Sequence, residues 1–164
     1  MKRIGVIGIG NPLRKDDGIG IKILEHLILK KNDLSDDIEF IDGGTGGMNL
    51  LHQLIKFDII FIIDAVNFNK KIGDMEVFDA KNLESIKPSI TKSTHCADFL
   101  SVIEVSKRLG EAPDKIFIIG IQPSDISFGN NISPELENKV PIYVEKIFLE
   151  IKKQISNLSD DLSN

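Results

Sequence analysis

The chain has 164 residues, a length typical of one domain, with ordinary hydrophobic and charged fractions of 41% and 27%. The formal net charge of −5 argues against a nucleic-acid partner, because such proteins usually carry a basic face. The single cysteine, Cys96, excludes an internal disulfide and fits a reducing compartment. The sequence shows no signal peptide and no membrane-spanning run, so we expect a cytoplasmic protein that does not bind a membrane.

The first part of the chain alternates between strand and helix patterns. The apolar run from Ile4 to Ile9 predicts a buried strand, and the apolar spacing after Gly18 predicts a helix that ends near Lys30. A short strand is predicted at Ile38 to Ile41. It runs into Asp42 to Gly47, a segment too rich in glycine for regular structure.

The middle of the chain contains the strongest strand pattern. A short helix is predicted over residues 48–55, followed by a strand over 57–64 whose apolar run indicates burial on both faces. Weak alternation over 74–79 predicts an edge strand. Residues 80–94 have little pattern and predict a long loop, and residues 96–109 predict a helix.

The last third of the chain predicts one more strand and a long helix. Residues 115–121 form an apolar run typical of a buried strand. Ser133-Pro134-Glu135 has the pattern of a helix start, and Pro141 is expected to kink or split that helix before it ends near Ile155. We therefore predict a single domain over residues 1–155 and a frayed tail over 156–164.

This alternation predicts a three-layer α/β fold, with a mostly parallel twisted sheet of about five strands and helices on both faces. In such sheets ligands bind beyond the carboxyl ends of the strands. Polar or glycine-rich segments follow several predicted strands, and we expect them to share one crevice. They are Asn11 to Gly18, Asp42 to Gly47, Asp64-Ala65 and Gln122 to Asp125.

The loop after the first strand does not fit a dinucleotide site. Gly8 and Gly10 do not reproduce the G-x-G-x-x-G spacing, and a pyrophosphate at this helix start would be repelled by Asp16 and Asp17. One of these aspartates is expected to cap the helix. The other is then a carboxylate that could bind a cation.

Asp64 and His95 offer further polar groups at the same edge. An acid directly after a buried strand is costly unless it is paired or bound to a metal, although bonding to loop amides would also explain it. Taken alone, His95 could be a cap or a surface residue, and Cys96 a small core residue. Together, Asp17, Asp64 and His95 offer two oxygens and one nitrogen, a set that suits zinc or nickel. With no H-E-x-x-H, no G-x-S-x-G and no credible Ser-His-Asp set in the sequence, a metal-centred site is the best fit for a hydrolase.

Several motifs, taken in order, resemble those of the nickel–iron hydrogenase maturation endopeptidases. They are Gly8-Ile9-Gly10-Asn11-Pro12-Leu13, Asp16-Asp17-Gly18-Ile19-Gly20, Asp42-Gly43-Gly44-Thr45, Ile63-Asp64-Ala65 and His95. The resemblance runs from about residue 4 to the C-terminal helix. It implies a phosphorylase/hydrolase-like fold and an enzyme that removes a C-terminal extension from the precursor of a NiFe hydrogenase large subunit after nickel insertion.

The resemblance also implies roles for particular residues. Asp17, Asp64 and His95 are then both the metal ligands and the catalytic groups, and Asp16 is the helix cap. The substrate supplies the nickel, although zinc or cadmium can occupy the same site. The residues implied to shape the substrate cleft are Asp42, Gly43, Gly44 and Thr45.

Two alternatives remain at this point. One is a nickel-binding chaperone or docking module for hydrogenase assembly that has the same fold but no catalytic activity. The other is an enzyme like peptidyl-tRNA hydrolase, which also begins with a strand and a Gly-x-Gly-Asn-Pro-like turn. That class needs a Thr-Arg-His-Asn block soon afterwards, where this chain has Lys15-Asp16-Asp17-Gly18.

Overall fold

A computed structural model describes residues 2–34, 37–82 and 94–161, with backbone alone for residues 82, 94, 96 and 158–161. The interpretation of the Cys96 side chain therefore lies outside the described part. The strands are β1 (Ile4–Gly8), β2 (Ile38–Asp42), β3 (Ile59–Ala65), β4 (Met75–Asp79) and β5 (Lys115–Ile121). The helices are α1 (Ile19–Leu29), α2 (Leu51–Leu54), α3 (Thr94–Leu109), α4 (Pro134–Glu137) and α5 (Val140–Asp161). Short 3-10 helices lie at Lys15–Gly18, Lys31–Asp33, Met48–Leu50 and Ala80–Asn82.

The five strands form one sheet in the order β2-β1-β3-β5-β4. The pairs β1–β2, β1–β3 and β3–β5 are parallel, and β4 pairs antiparallel with β5 at one edge. The predicted α/β architecture and the predicted edge strand are both confirmed. Four parallel strands end at the same side of the sheet, which we refer to as the carboxyl edge.

Helices cover both faces of the sheet and enclose two cores. In β3, Ile59, Phe61 and Ile63 pack in the core beneath α1 and α5. The alternate residues Ile60 and Ile62 pack in the core beneath α2 and α3. Because successive side chains of a strand point to opposite faces, a central strand must be apolar at every position. This requirement explains the unbroken apolar run from which β3 was predicted.

Some predicted boundaries differ from the structure. The predicted split near Pro141 is confirmed: α4 ends at Glu137 and α5 begins at Val140, so the proline lies in a first turn, where its missing N–H costs little. Helix α5 continues to Asp161, beyond the predicted end near Ile155. Helix α3 begins at Thr94, so His95 lies inside the helix rather than before it.

The predicted helix over 48–55 is a 3-10 turn followed by the short helix α2. Part of the predicted loop over 80–94 is also helical, since Ala80–Asn82 form a 3-10 turn, and residues 83–93 lie outside the described ranges. Among the helices that the structure describes, none is both long and apolar enough to cross a bilayer.

Candidate active site

Two glycines allow the first turn to lie directly against the ends of the central strands. A Cβ at Gly20 would collide with the backbone oxygens of Ile9 and Ile63, so only glycine lets α1 start directly on β1 and β3. Gly10 has a φ of +147°, and a Cβ there would collide with the carbonyl oxygen of Asp17. These close approaches bring the turn that carries Asp17 over the carboxyl edge of the sheet.

Asp17 and His95 form the centre of the candidate site. The Oδ2 atom of Asp17 lies 2.8 Å from Nε2 of His95 and accepts a hydrogen bond from the backbone N–H of Asn11 at 3.0 Å. On the other side of the ring, Nδ1 of His95 lies 2.9 Å from the carbonyl oxygen of Thr45. The imidazole is therefore held from both sides, by Asp17 in the turn before α1 and by Thr45 in the loop after β2.

The electrostatics of this contact favour a charged imidazole. The hydrogen bond to the Asp17 carboxylate is the largest cause that raises the pKa of His95, and the charges of Asp17 and Asp64 act in the same direction, while burial opposes them. Both ring nitrogens face oxygen acceptors. The carbonyl of Thr45 can only accept, so Nδ1 donates to it, and the raised pKa favours a second proton on Nε2 beside the buried carboxylate.

Asp64 lies at the carboxyl end of β3, where it is completely buried opposite Gly120 of β5. Its negative charge is close enough to raise the pKa of His95. The structure thus brings Asp17, Asp64 and His95 to one edge of the sheet, as the sequence predicted. In the described ranges, however, no three acidic, histidine or cysteine side chains are already arranged to hold a metal ion.

The glycine-rich loop after β2 supports the site through its backbone. Asp42 Oδ1 accepts a hydrogen bond from the N–H of Gly44 at 2.8 Å, and the carbonyl of Gly44 accepts one from Gly10 at 2.8 Å. The N–H of Gly43 donates to Gly8 at 2.8 Å. These bonds fix the Thr45 carbonyl that contacts His95, a role that side-chain patterns in the sequence could not reveal. The substrate contacts predicted for Asp42, Gly43, Gly44 and Thr45 remain a prediction.

The structure corrects the role predicted for Asp16. The first residues of the 3-10 turn and of α1 receive no side-chain cap, so neither Asp16 nor Asp17 caps its own helix. The buried Asp16 carboxylate instead accepts hydrogen bonds from the backbone of Ser124, Asp125 and Ser133, at 2.8, 3.1 and 2.6 Å. The Ser133 hydroxyl donates to it at 2.9 Å. Asp16 therefore joins the first turn to the loop that follows β5.

Ser133 occupies the cap position of α4, as predicted, but its hydroxyl is directed to Asp16 and makes no cap hydrogen bond. The predicted crevice consequently has two sides. One side consists of Asp17, His95 and the loop after β2. The other side consists of residues 122–125, whose backbone is bound by Asp16.

Solved structures that are similar to this chain include endopeptidases. A hydrogenase-maturating endopeptidase, HybD, from Escherichia coli superposes with a TM-score of 0.80 at 28% identity, covering 93% of each chain. A [NiFe] hydrogenase maturation protease, HybD, from Thermococcus kodakarensis superposes with a TM-score of 0.70 at 28% identity, covering 88% of this chain and 96% of the other. These likenesses place the chain in the class of α/β endopeptidases.

The sequence comparisons identify the family. The sequence model of the hydrogenase maturation proteases matches residues 21–150. The hydrogenase expression/formation protein HupD of Rhizobium leguminosarum bv. viciae is 29% identical over 144 residues, which are 87% of this chain and 71% of that protein. The chain belongs to the hydrogenase maturation protease family and is a hydrolase of peptide bonds. Membership of this family favours the protease over the chaperone and the peptidyl-tRNA hydrolase alternatives.

Proposed function

We propose that this protease removes the C-terminal extension from the precursor of a NiFe hydrogenase large subunit after nickel has been inserted. The observation that carries the proposal is the buried contact between Asp17 and His95 at the carboxyl edge of the sheet, 2.8 Å long. The charge of Asp64 acts on the same imidazole. The named specificity of the T. kodakarensis protease for [NiFe] hydrogenase supports the choice of precursor.

Nickel enters this proposal as part of the substrate. Asp17, Asp64 and His95 supply the carboxylate oxygens and imidazole nitrogen that would complete its coordination. The Thr45 carbonyl orients the ring so that Nε2 faces Asp17, as partners of ligating histidines commonly do. Asp17, Asp64 and His95 would hold such an ion, which would supply Lewis-acid chemistry to polarise the scissile carbonyl or a water molecule. We further propose that zinc or cadmium can occupy the same position.

The Asp17–His95 hydrogen bond has a consequence for how nickel would be recognised. Nε2 can bind a metal only after it gives up the proton that it now shares with Asp17. In the arrangement described, the two side chains satisfy each other. A precursor without nickel would leave this pair intact. In a loaded precursor, both groups could instead bind the nickel ion, which attracts them more strongly than they attract each other. We propose that this exchange is the test for nickel insertion, and that residues Asp42 to Thr45 line the cleft beside it.

The experiment uses purified precursor, prepared with and without nickel, and measures the mass of the large subunit before and after incubation. His95→Ala and Asp64→Asn are expected to abolish cleavage of the loaded precursor. His52→Ala is the matched control, because His52 is exposed on α2. Wild-type rates for His95→Ala would overturn the site. Equal cleavage of loaded and nickel-free precursor would overturn the role of nickel.

A further inference from the structure

Exposed apolar side chains lie on two adjoining loops beside the candidate site. Phe128 exposes 84% of its surface and Leu13 exposes 62%. The two residues belong to adjoining loops, since the carbonyl of Leu13 accepts a hydrogen bond from Gly129 at 2.9 Å. Single exposed apolar residues need no explanation, but clustered ones commonly mark a binding surface.

Arg14 connects the two loops. Its guanidinium lies 5.7 Å from the centre of the Phe128 ring, and its Nε donates to the carbonyl of Ile126 at 3.1 Å. Lys15 pairs with Asp125, but Arg14 forms no ion pair with a carboxylate in the part of the chain that the structure describes. We name Leu13, Arg14, Ile126 and Phe128 the first-turn surface.

Several hydrogen bonds hold the backbone of the first-turn surface in place. Asp16 bonds to the loop on both sides of Phe128, through Ser124 and Asp125 before it and Ser133 after it. The N–H of Lys15 donates to the carbonyl of Gly129 at 3.0 Å. An anchor that is already ordered loses little conformational entropy when a partner binds, so such residues contribute strongly to affinity.

The first-turn surface is also physically continuous with the candidate site. The N–H of Leu13 donates to Oδ1 of Asn11 at 3.0 Å, and the N–H of Asn11 donates to the Asp17 carboxylate. The N–H of Asp17 in turn donates to the carbonyl of Arg14 at 3.0 Å. The first-turn surface therefore begins in the same turn that carries Asp17, so a protein bound at Asp17 has Leu13 and Arg14 close by.

We infer that the first-turn surface docks the folded body of the large-subunit precursor, an inference that rests on the proposed function. A specific interface buries about 800 Å² on each partner, more than a polar cleft of a few residues supplies. The exposed Phe128 ring fits an apolar recess on the precursor, and the guanidinium of Arg14 fits a carboxylate at the rim of that recess. A recess of about 360 Å³ bordered by Pro12, Lys15 and Ile21 adjoins this surface and can receive a side chain in return.

The test separates docking from cleavage by measuring KM and kcat for the nickel-loaded precursor. Phe128→Ser and Leu13→Ser are each expected to raise KM about tenfold or more, the size expected of an interface hot spot, with kcat unchanged. Arg14→Glu is expected to raise KM most at low salt. The matched control is Leu29→Ser, because Leu29 is 80% exposed at the far end of α1 and should leave KM unchanged.

Each outcome decides between the two proposals. If the wild-type protein cleaves the precursor and both serine variants keep the wild-type KM, docking at this surface is overturned and the proposed function stands. If the wild-type protein does not cleave the loaded precursor, both are overturned. A change of sedimentation coefficient in Phe128→Ser without a change in KM would show instead that the surface joins two copies of this chain. Melting curves of Phe128→Ser and Leu13→Ser should match that of the wild type, because these two side chains are exposed.

Discussion

The neighbouring carboxylates Asp16 and Asp17 should respond in opposite ways to the same substitution. In Asp16→Asn, one amide oxygen replaces a carboxylate that accepts four hydrogen bonds from Ser124, Asp125 and Ser133. If the amide oxygen takes the place of Oδ2, its NH2 group faces the N–H of Ser133, which then loses its acceptor. Hydrogen bonds to charged groups contribute about 1.5–3 kcal/mol, and a stranded buried donor costs about 1–3 kcal/mol. The free energy of unfolding should therefore fall by about 3 kcal/mol.

Thermal unfolding followed by circular dichroism measures this effect. For a chain of this size, about 3 kcal/mol corresponds to a fall in Tm of about 6–12 °C. Asp17→Asn is the matched control. Its contacts with Asn11 and His95 both converge on Oδ2, so an amide oxygen there can keep both, and Tm should fall by no more than about 4 °C.

Cleavage should show the reverse order, with Asp17→Asn inactive and Asp16→Asn active below its melting range. A Tm of Asp16→Asn equal to that of the wild type, or a lower Tm for Asp17→Asn than for Asp16→Asn, would contradict this prediction.

Two further substitutions test the packing around this edge of the sheet. Gly20→Ala should lower the free energy of unfolding by about 1–3 kcal/mol or more, because the new methyl group meets the carbonyl oxygens of Ile9 and Ile63. An unchanged midpoint in urea would contradict this. Burial raises the pKa of Tyr143 to about 12, aided by the charges of Asp74 and Asp16. Because this folded-state pKa lies above the unfolded value of about 10, the stability that the hydroxyl contributes is complete below pH 10 and is lost as the pH rises towards 12. Tyr143→Phe should therefore cost about 1 kcal/mol near neutral pH, through the lost 2.7 Å bond to Gly73, and show a shallower alkaline loss in urea titrations. As Tyr143 is the single tyrosine, tyrosinate absorbance reports its ionisation directly, and a midpoint near pH 10 would contradict the prediction.

Local patterns in the sequence were enough to predict the architecture. Strand β5 was predicted at its observed limits, Lys115–Ile121. A short apolar run between polar segments is typical of a buried strand in a layered α/β fold. The same patterns predicted β4 as an edge strand. The register and the strand order could not be predicted in this way, since both depend on which strands meet across the whole chain. Helix ends were also less certain, because the polar residues after Ile155 continue a helix as readily as they end one.

The sequence predicted that the side chains of the candidate site lie at one edge of the sheet, but it did not predict their hydrogen-bond partners. Asp17 and Asp64 each follow a predicted strand, and parallel strands end at the same edge of a sheet. This was enough to predict that the two carboxylates lie at that edge. The partners of Asp16 lie 108 to 117 residues away in the sequence, so a local pattern could only suggest a cap. The contact between His95 and Thr45 uses a backbone carbonyl, which every residue possesses and no sequence pattern identifies.

The strand order also constrains when the enzyme can become complete during synthesis. Strand β4 precedes β5 in the chain, but β5 is its neighbour in the described sheet. During synthesis, β4 therefore has no strand partner until residues 115–121 leave the ribosome. Unpaired strands of this kind tend to associate with other chains. The groups that bind Asp16 are synthesised later still, ending with Ser133. A nascent chain that ends before Ser133 has β1, α1 and the acidic turn, but it lacks the last group that binds Asp16, so the loop after β5 is not yet fully anchored to that turn.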